Sequence, residues 1–182
     1  PRPRPPPPRA KRLRPPKTAQ RLPKALSIEQ IERLLDAAGP DPAAPAAAAE
    51  TGDEAIIRLR DRALLELLYA TGARVSEVMQ LDVDDLALGD VLRVRGKGSK
   101  ERIVPVGSYA RAAVDAYLAR ARPELSRRGR ASARLFLGAR GAPLSRQGAW
   151  LIIQTAAERA QLTAHVSPHT FRHSCATHMI RN

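Results

Sequence analysis

Arg74 stands two residues past Gly72 in Thr71-Gly72-Ala73-Arg74-Val75-Ser76-Glu77. An arginine just beyond a glycine-terminated helix is presented beside free backbone N–H groups, and its planar fork of donors suits a phosphate oxygen. The alternative is a surface arginine paired with Glu77. Lys97 lies between Gly96 and Gly98 in Gly96-Lys97-Gly98-Ser99-Lys100, where the backbone can approach a ligand closely and the ammonium can swing. The alternative there is a charged turn residue that keeps a hairpin soluble. A third group lies in Ser167-Pro168-His169-Thr170-Phe171-Arg172-His173-Ser174. His169 and Arg172 are three apart near a helix start, so both project to one side, at an end whose partial positive charge favours an anion. His173 and His178 point elsewhere around that helix and are expected in the core or supporting the first two. Neither the histidine spacing nor a nearby carboxylate supports a metal site. Cys175 is the single cysteine, so no internal disulfide is available.

These residues need elements to hold them. Ser27-Ile28-Glu29-Gln30 has the form of a capping box, and Ile28, Ile31, Leu34, Leu35 and Ala38 fall on one helical face that ends at Gly39. A second helix is expected from about Asp53 to Ala70, with Ile56, Ile57, Leu64, Leu65, Leu67 and Leu68 as its apolar face and Gly72 as its stop. A helical turn follows around Ser76 to Gln80. Val91 to Arg95 and Arg102 to Val106 are expected as two strands of a hairpin with a basic tip. Helical patterns span Ser108 to Arg122 (with Tyr109 and Tyr117 on the core side) and Ser145 to Ala160 (with Trp150, Leu151, Ile153 and Ala157). A short strand-like Leu135-Phe136-Leu137 separates them. The last helix opens on Ser167 as N-cap with Pro168 at the first turn. The expected fold class is mainly α with a small antiparallel β-sheet.

Charge separates the ends of the 182-residue chain. Its 31 Lys and Arg against 18 Asp and Glu leave a net charge of +13, which points to a polyanionic partner, nucleic acid before membrane. Residues 1–24 hold nine of the 16 prolines and nine basic side chains, Arg12 and Arg14 among them, with no acidic one. Lacking apolar periodicity, residues 1–20 are expected to form an extended basic arm or linker. Residues 40–52 are low-complexity, rich in Ala and Pro, and expected as an exposed insertion. No apolar run approaches the roughly 18 to 20 residues of a membrane span. A reducing cytosol fits the single cysteine.

Taken in order, LLYATGARVSEVMQL (67–81), RVRGKGSKERIVPVG (93–107) and SPHTFRHSCATHMI (167–180) resemble the two arginine boxes and the lysine hairpin of the tyrosine recombinase, or phage-integrase-like, family. The wording is closest to its Xer-type members, and RLPKALSIEQIERLL (21–35) resembles the opening of their catalytic domain. The resemblance implies a partial catalytic domain over 21–182, with the 1–20 arm joining it to an absent core-binding domain. It implies that Arg74 and Arg172 hold the scissile phosphate, Lys97 protonates the leaving 5′-oxygen, His169 assists the nucleophile, and Glu77 supports Arg74. Lys100, Arg102, Arg12 and Arg14 are expected as further DNA contacts. No cofactor or metal is implied. The implied partners are duplex DNA, other protomers in a tetrameric synapse, and a DNA translocase as activator.

The family's nucleophile is a tyrosine beyond the His-x-x-Arg helix, and the tyrosines here are Tyr69, Tyr109 and Tyr117. None stands in that place, so the chain alone is expected to lack strand cleavage and to be a C-terminally truncated piece. Two competing expectations are a non-catalytic DNA-binding protein derived from the same domain and a type IB topoisomerase. The second is disfavoured by the Xer-like wording of the boxes.

Overall fold

The computed structural model describes residues 24–42, 52–86 and 89–181. The expected 1–20 arm, with Arg12 and Arg14, and most of the 40–52 insertion lie outside the described residues.

Helix α1 (Ile28–Ala38) begins as the capping box requires. Ser27 Oγ accepts from the Gln30 N–H at 3.2 Å, and Gln30 Oε1 accepts from the Ser27 N–H at 2.9 Å, so two otherwise free donors are satisfied reciprocally. Ile31, Leu34, Leu35 and Ala38 are buried as expected, whereas Ile28 is exposed, because the first turn overhangs the core. Gly39 ends the helix where a Cβ would stand 2.2 Å from the Arg58 carbonyl. Only glycine lets the chain pass that close to the next helix.

That next helix, α2 (Asp53–Thr71), is the centre of the molecule, and it ends at Gly72 in the left-handed conformation (φ 59°). It touches α1 and all the longer helices introduced below. The apolar positions alone describe one wide face, but α2 is buried on nearly all sides. Arg60, Asp61, Arg62 and Glu66 are buried with Leu59, Ala63, Leu64, Leu65, Leu67 and Leu68. The charges are tolerated because they are paired. Arg60 bonds Asp61 at 2.7 Å, and Arg62 bonds Glu66 at 2.8 Å and Asp36 of α1 at 2.9 Å. Burial nevertheless raises the Asp61 and Glu66 carboxyls above their ordinary range.

After α3 (Val75–Met79) and a 3-10 turn at Val83–Leu86, β1 (Val91–Arg95) pairs antiparallel with β2 (Glu101–Pro105) in the register Val91↔Pro105 to Arg95↔Glu101. The second strand starts one residue earlier than the sequence suggests. Leu92 and Val94 of β1 enter the core, while β2 is largely exposed. Helix α4 (Ser108–Ala116) continues through a π segment at Tyr117–Ala121 into α5 (Arg122–Arg127). The run therefore goes five residues past the expected end. Pro123 has no N–H to donate and its ring crowds the preceding turn, and the wider π turn just ahead of it lets the helix continue. Tyr117 is buried, but Tyr109, expected inside, is exposed.

Leu135-Phe136-Leu137 is buried without joining the sheet. Isolated bridges form at Arg134, just before it, and at Leu137, its last residue, and the Tyr117 hydroxyl donates to the Leu135 carbonyl at 2.9 Å and accepts from the Leu137 N–H at 3.1 Å. Helix α6 (Arg146–Arg159) is capped by Ser145, whose Oγ accepts from the Gly148 N–H at 3.0 Å. Its core face is Ala149, Ile152, Ile153, Ala156 and Ala157, leaving the expected Trp150 and Leu151 exposed. Helix α7 (Pro168–Arg181) packs on α2 and completes the fold, with Thr170, Phe171, Ser174 and Cys175 buried and Phe171 edge-on to Tyr69 of α2. The architecture is mainly α with one small antiparallel sheet, as expected.

Candidate active site

The left-handed Gly72 turns the chain out of α2, and Arg74 follows in extended conformation (φ −69°, ψ 144°) as α3 begins. Glu77, one turn on, is 5% exposed and carries four bonds. Its Oε2 accepts from the Arg74 N–H at 2.8 Å and its Oε1 from Arg74 Nη1 at 3.3 Å. Arg102 on β2 adds a bidentate pair at 2.9 and 2.8 Å. Glu77 therefore fixes both the backbone and the guanidinium of Arg74. Arg102, expected as a DNA contact, has its fork committed to Glu77 and ties the hairpin to α3.

The Arg102 pair, aided by the Arg74 N–H and both arginine charges, outweighs burial and holds the Glu77 carboxyl down at about 2. Because the folded value lies below the ordinary 4.5, the stabilisation is complete above about pH 4.5 and is lost as pH falls toward 2. Glu77→Gln is expected to cost about 3 kcal/mol at neutral pH, read as a lowered urea midpoint. The difference from the parent should shrink at pH 3, and a constant difference would show that the carboxylate's charge is not what matters.

The hairpin brings the lysine in. The Gly96 N–H donates to the Lys100 carbonyl at 2.8 Å, closing a tip in which Lys97–Ser99 makes a 3-10 turn and Gly98 has φ 73°. Lys97 is exposed and lines a cleft of about 380 Å³ with Arg74, Ser76, Glu77, Gln80, Arg95 and Gly96. Lys100 is exposed and lies outside that lining.

On the other side of Arg74 a second cleft of about 390 Å³ is lined by Arg74, Val75, Ser76, Arg146, Gln147, Pro168, His169 and Arg172. Helix α7 is capped by Ser167, whose Oγ accepts from the Thr170 N–H at 3.2 Å. Its first turns carry exposed His169 and half-buried Arg172 to the cleft. Among the described residues, the side chains of Arg172, His169 and Lys97 make no hydrogen bond or ion pair within the chain. The two clefts meet at Arg74, so the four residues separated in sequence converge on one surface. His178 is buried, its Nδ1 2.9 Å from the Tyr69 hydroxyl, whereas His173, expected inside or in support, is exposed.

The sequence does not single out Arg146 and Gln147, at the start of α6. Polar residues in the first turn after a Ser cap read as solvated helix surface. Their only sequence signal is that they directly follow Ser145, which fixes where α6 starts. None of the three tyrosines lines either cleft. Among the described residues no cluster of His, Cys, Asp or Glu could hold a metal ion, and no helix is long and apolar enough to cross a membrane.

The arrangement of two arginines, a lysine hairpin and a His-x-x-Arg helix coincides with a match to the phage integrase family over residues 24–182. The chain belongs to the phage integrase family. It is 51% identical over 172 residues to a protein named tyrosine recombinase XerD from Mycobacterium tuberculosis (strain H37Rv), covering 94% of this chain and 52% of that one. It is also 51% identical over 168 residues to tyrosine recombinase XerD from Corynebacterium glutamicum, covering 91% and 51%. This integrase-family chain thus spans about half the length of these curated relatives. The crystal structure of XerA recombinase superposes with a TM-score of 0.69 at 25% identity, covering 88% of this chain and 52% of that one. The lambda integrase catalytic core shares the fold, with a TM-score of 0.57 at 16% identity, covering 84% and 81%. The Xer-type resemblance and the expected fold class are borne out.

Proposed function

We propose that this integrase-family chain is the phosphate-handling part of a site-specific DNA recombinase that cuts and rejoins duplex DNA through a 3′-phosphotyrosyl link, without metal or cofactor. The observation that carries this reading is the convergence of Arg74, His169 and Arg172 on one cleft that adjoins the Lys97 cleft. Two guanidiniums offset the charge that gathers on the non-bridging oxygens in the transition state. The ammonium of Lys97 supplies a proton to the departing 5′-oxygen, and His169 assists proton removal from the attacking hydroxyl.

On this reading the tyrosine comes from outside these 182 residues, and the chain alone binds DNA without cutting it. Residues 1–20 are then a linker from a preceding DNA-binding half, and 21–182 are part of the catalytic domain. Other protomers complete the synapse. Crystal structures of related folds support DNA as the substrate class: XerH recombinase bound to its palindromic difH substrate in a post-cleavage complex, and a lambda integrase tetramer on a Holliday junction. Control by a DNA translocase and a nucleoid location belong to the same proposal.

Anisotropy titrations of the chain against mixed-sequence duplex DNA test it. Affinity should fall steeply with salt, because phosphate contacts release counterions. Arg172→Ala should lower the salt slope by about 1, and deletion of residues 1–20 should lower it further. An unchanged slope on deletion assigns the arm a passive role. An unchanged slope in Arg172→Ala removes the phosphate from the cleft and the reading with it.

A further inference from the structure

The segment by which the chain enters the fold is fastened to the helix that presents His169 and Arg172. Leu26 and Ser174 are 148 residues apart in sequence, yet the Leu26 N–H donates to Ser174 Oγ at 2.8 Å in a buried setting. Ser174 Oγ in turn donates to the Thr170 carbonyl at 2.8 Å. Thr170 is itself held at the helix cap, its N–H donating to Ser167 Oγ at 3.2 Å and its hydroxyl 2.9 Å from that same oxygen. Leu26, Thr170 and Ser174 are all at most 2% exposed.

The chemistry of this relay leaves little freedom. A serine hydroxyl has one proton, and here it goes to Thr170, so the lone pairs of Ser174 are what receive Leu26. Without the hydroxyl the Leu26 N–H is left buried and unpaired, which proteins rarely tolerate. The relay runs along the buried side of α7 from chain residue 26 to the Ser167 cap, while His169 and Arg172 leave the same two turns on the cleft side. Leu26 immediately precedes Ser27, the cap of α1, so its position is also set by the start of that helix.

We propose that Ser174 is a positioning residue that couples the segment Lys24–Ser27 to the phosphate-holding turn of α7, so that occupancy of the cleft and placement of the incoming chain each favour the other. The proposal rests on the reading of the cleft as a DNA phosphate site. Coupling of this kind is reciprocal: DNA held by Arg172 should tighten the Leu26 N–H bond.

The test is residue-resolved amide hydrogen exchange of the chain, with and without saturating mixed-sequence duplex DNA. Leu65 in the centre of α2 is the reference for global stabilisation. The Ser174→Thr and Ser174→Val pair has nearly the same shape, and only the first keeps the hydroxyl. In the parent and in Ser174→Thr, DNA is expected to slow exchange at Leu26 about tenfold more than at Leu65. In Ser174→Val the excess should fall below about twofold while DNA still binds. An equal excess in Ser174→Val, or none in the parent, overturns the coupling. The phosphate reading fails separately, if Arg172→Ala binds DNA as tightly and with the same salt slope as the parent.

Discussion

On the recombinase reading proposed above, Arg172→Ala, introduced into a longer protein that carries this chain and the attacking tyrosine, is expected to lower strand cleavage by at least about 10²- to 10³-fold, the usual loss when one preorganised donor to a developing oxyanion is removed. The fold should survive. Arg172 lines the cleft from the open side of α7, and the core contacts of that turn come from Thr170, Phe171, Ser174 and Cys175. Among the described residues no carboxylate depends on Arg172 for pairing, so truncation strands no buried charge. Arg74→Ala should behave alike for a different reason. It removes one bond at 3.3 Å from Glu77, which keeps both bonds from Arg102.

Arg172→Lys should recover little, because an ammonium keeps the charge but cannot offer two parallel donors to one phosphate. The measurement is covalent complex formed on a nicked substrate that traps the first cut, beside a thermal melt of each variant. Melting within a few degrees of the parent, together with trapped complex near the parent level, would remove these arginines from the chemistry. A variant that fails to fold would show the arginine to be structural.

How far the sequence led depended on whether the signal was local. Caps and stops act within one turn, and Ser27, Gly72, Ser145 and Ser167 mark real helix ends for that reason. Faces were harder. In α6 the large apolar Trp150 and Leu151 drew the core face toward themselves, yet the helix buries Ala149, Ile152, Ile153, Ala156 and Ala157. Small residues let α6 lie close to α1, α2 and α3, and alanine carries too weak a hydrophobic signal to announce it. The π segment was hidden because Pro123 reads as a helix stop. In the site, Arg74, His169 and Arg172 could be proposed from their helix ends and from the family wording, but spacing alone said nothing of their meeting. The Arg102–Glu77 pair joins elements 25 residues apart, and no local rule distinguishes such an arginine from Lys100 beside it.

The choice between Lys97 and Lys100 is where the hairpin's shape turns into chemistry. Gly96 and Gly98 flank Lys97, the left-handed Gly98 folds the tip over, and the result lines the cleft beside Arg74 with Lys97, whereas Lys100 starts the return toward β2 outside that lining. A general acid is needed only when the departing oxygen is a poor leaving group, since a thiolate leaves unprotonated. On the same proposed reading, in a longer protein that carries this chain and the tyrosine, Lys97→Ala should therefore be about 10²- to 10⁴-fold slow on ordinary DNA and largely restored on a substrate whose bridging 5′-oxygen is sulfur. Lys100→Ala should weaken binding, with a smaller salt slope, and gain nothing specific from sulfur. Arg172→Ala gives the control: its defect lies at the non-bridging oxygens, so sulfur at the bridging position should leave it slow. If sulfur restores Lys100→Ala and not Lys97→Ala, the proton comes from the lysine at the end of the tip, and the turn at Gly98 must open to bring it in.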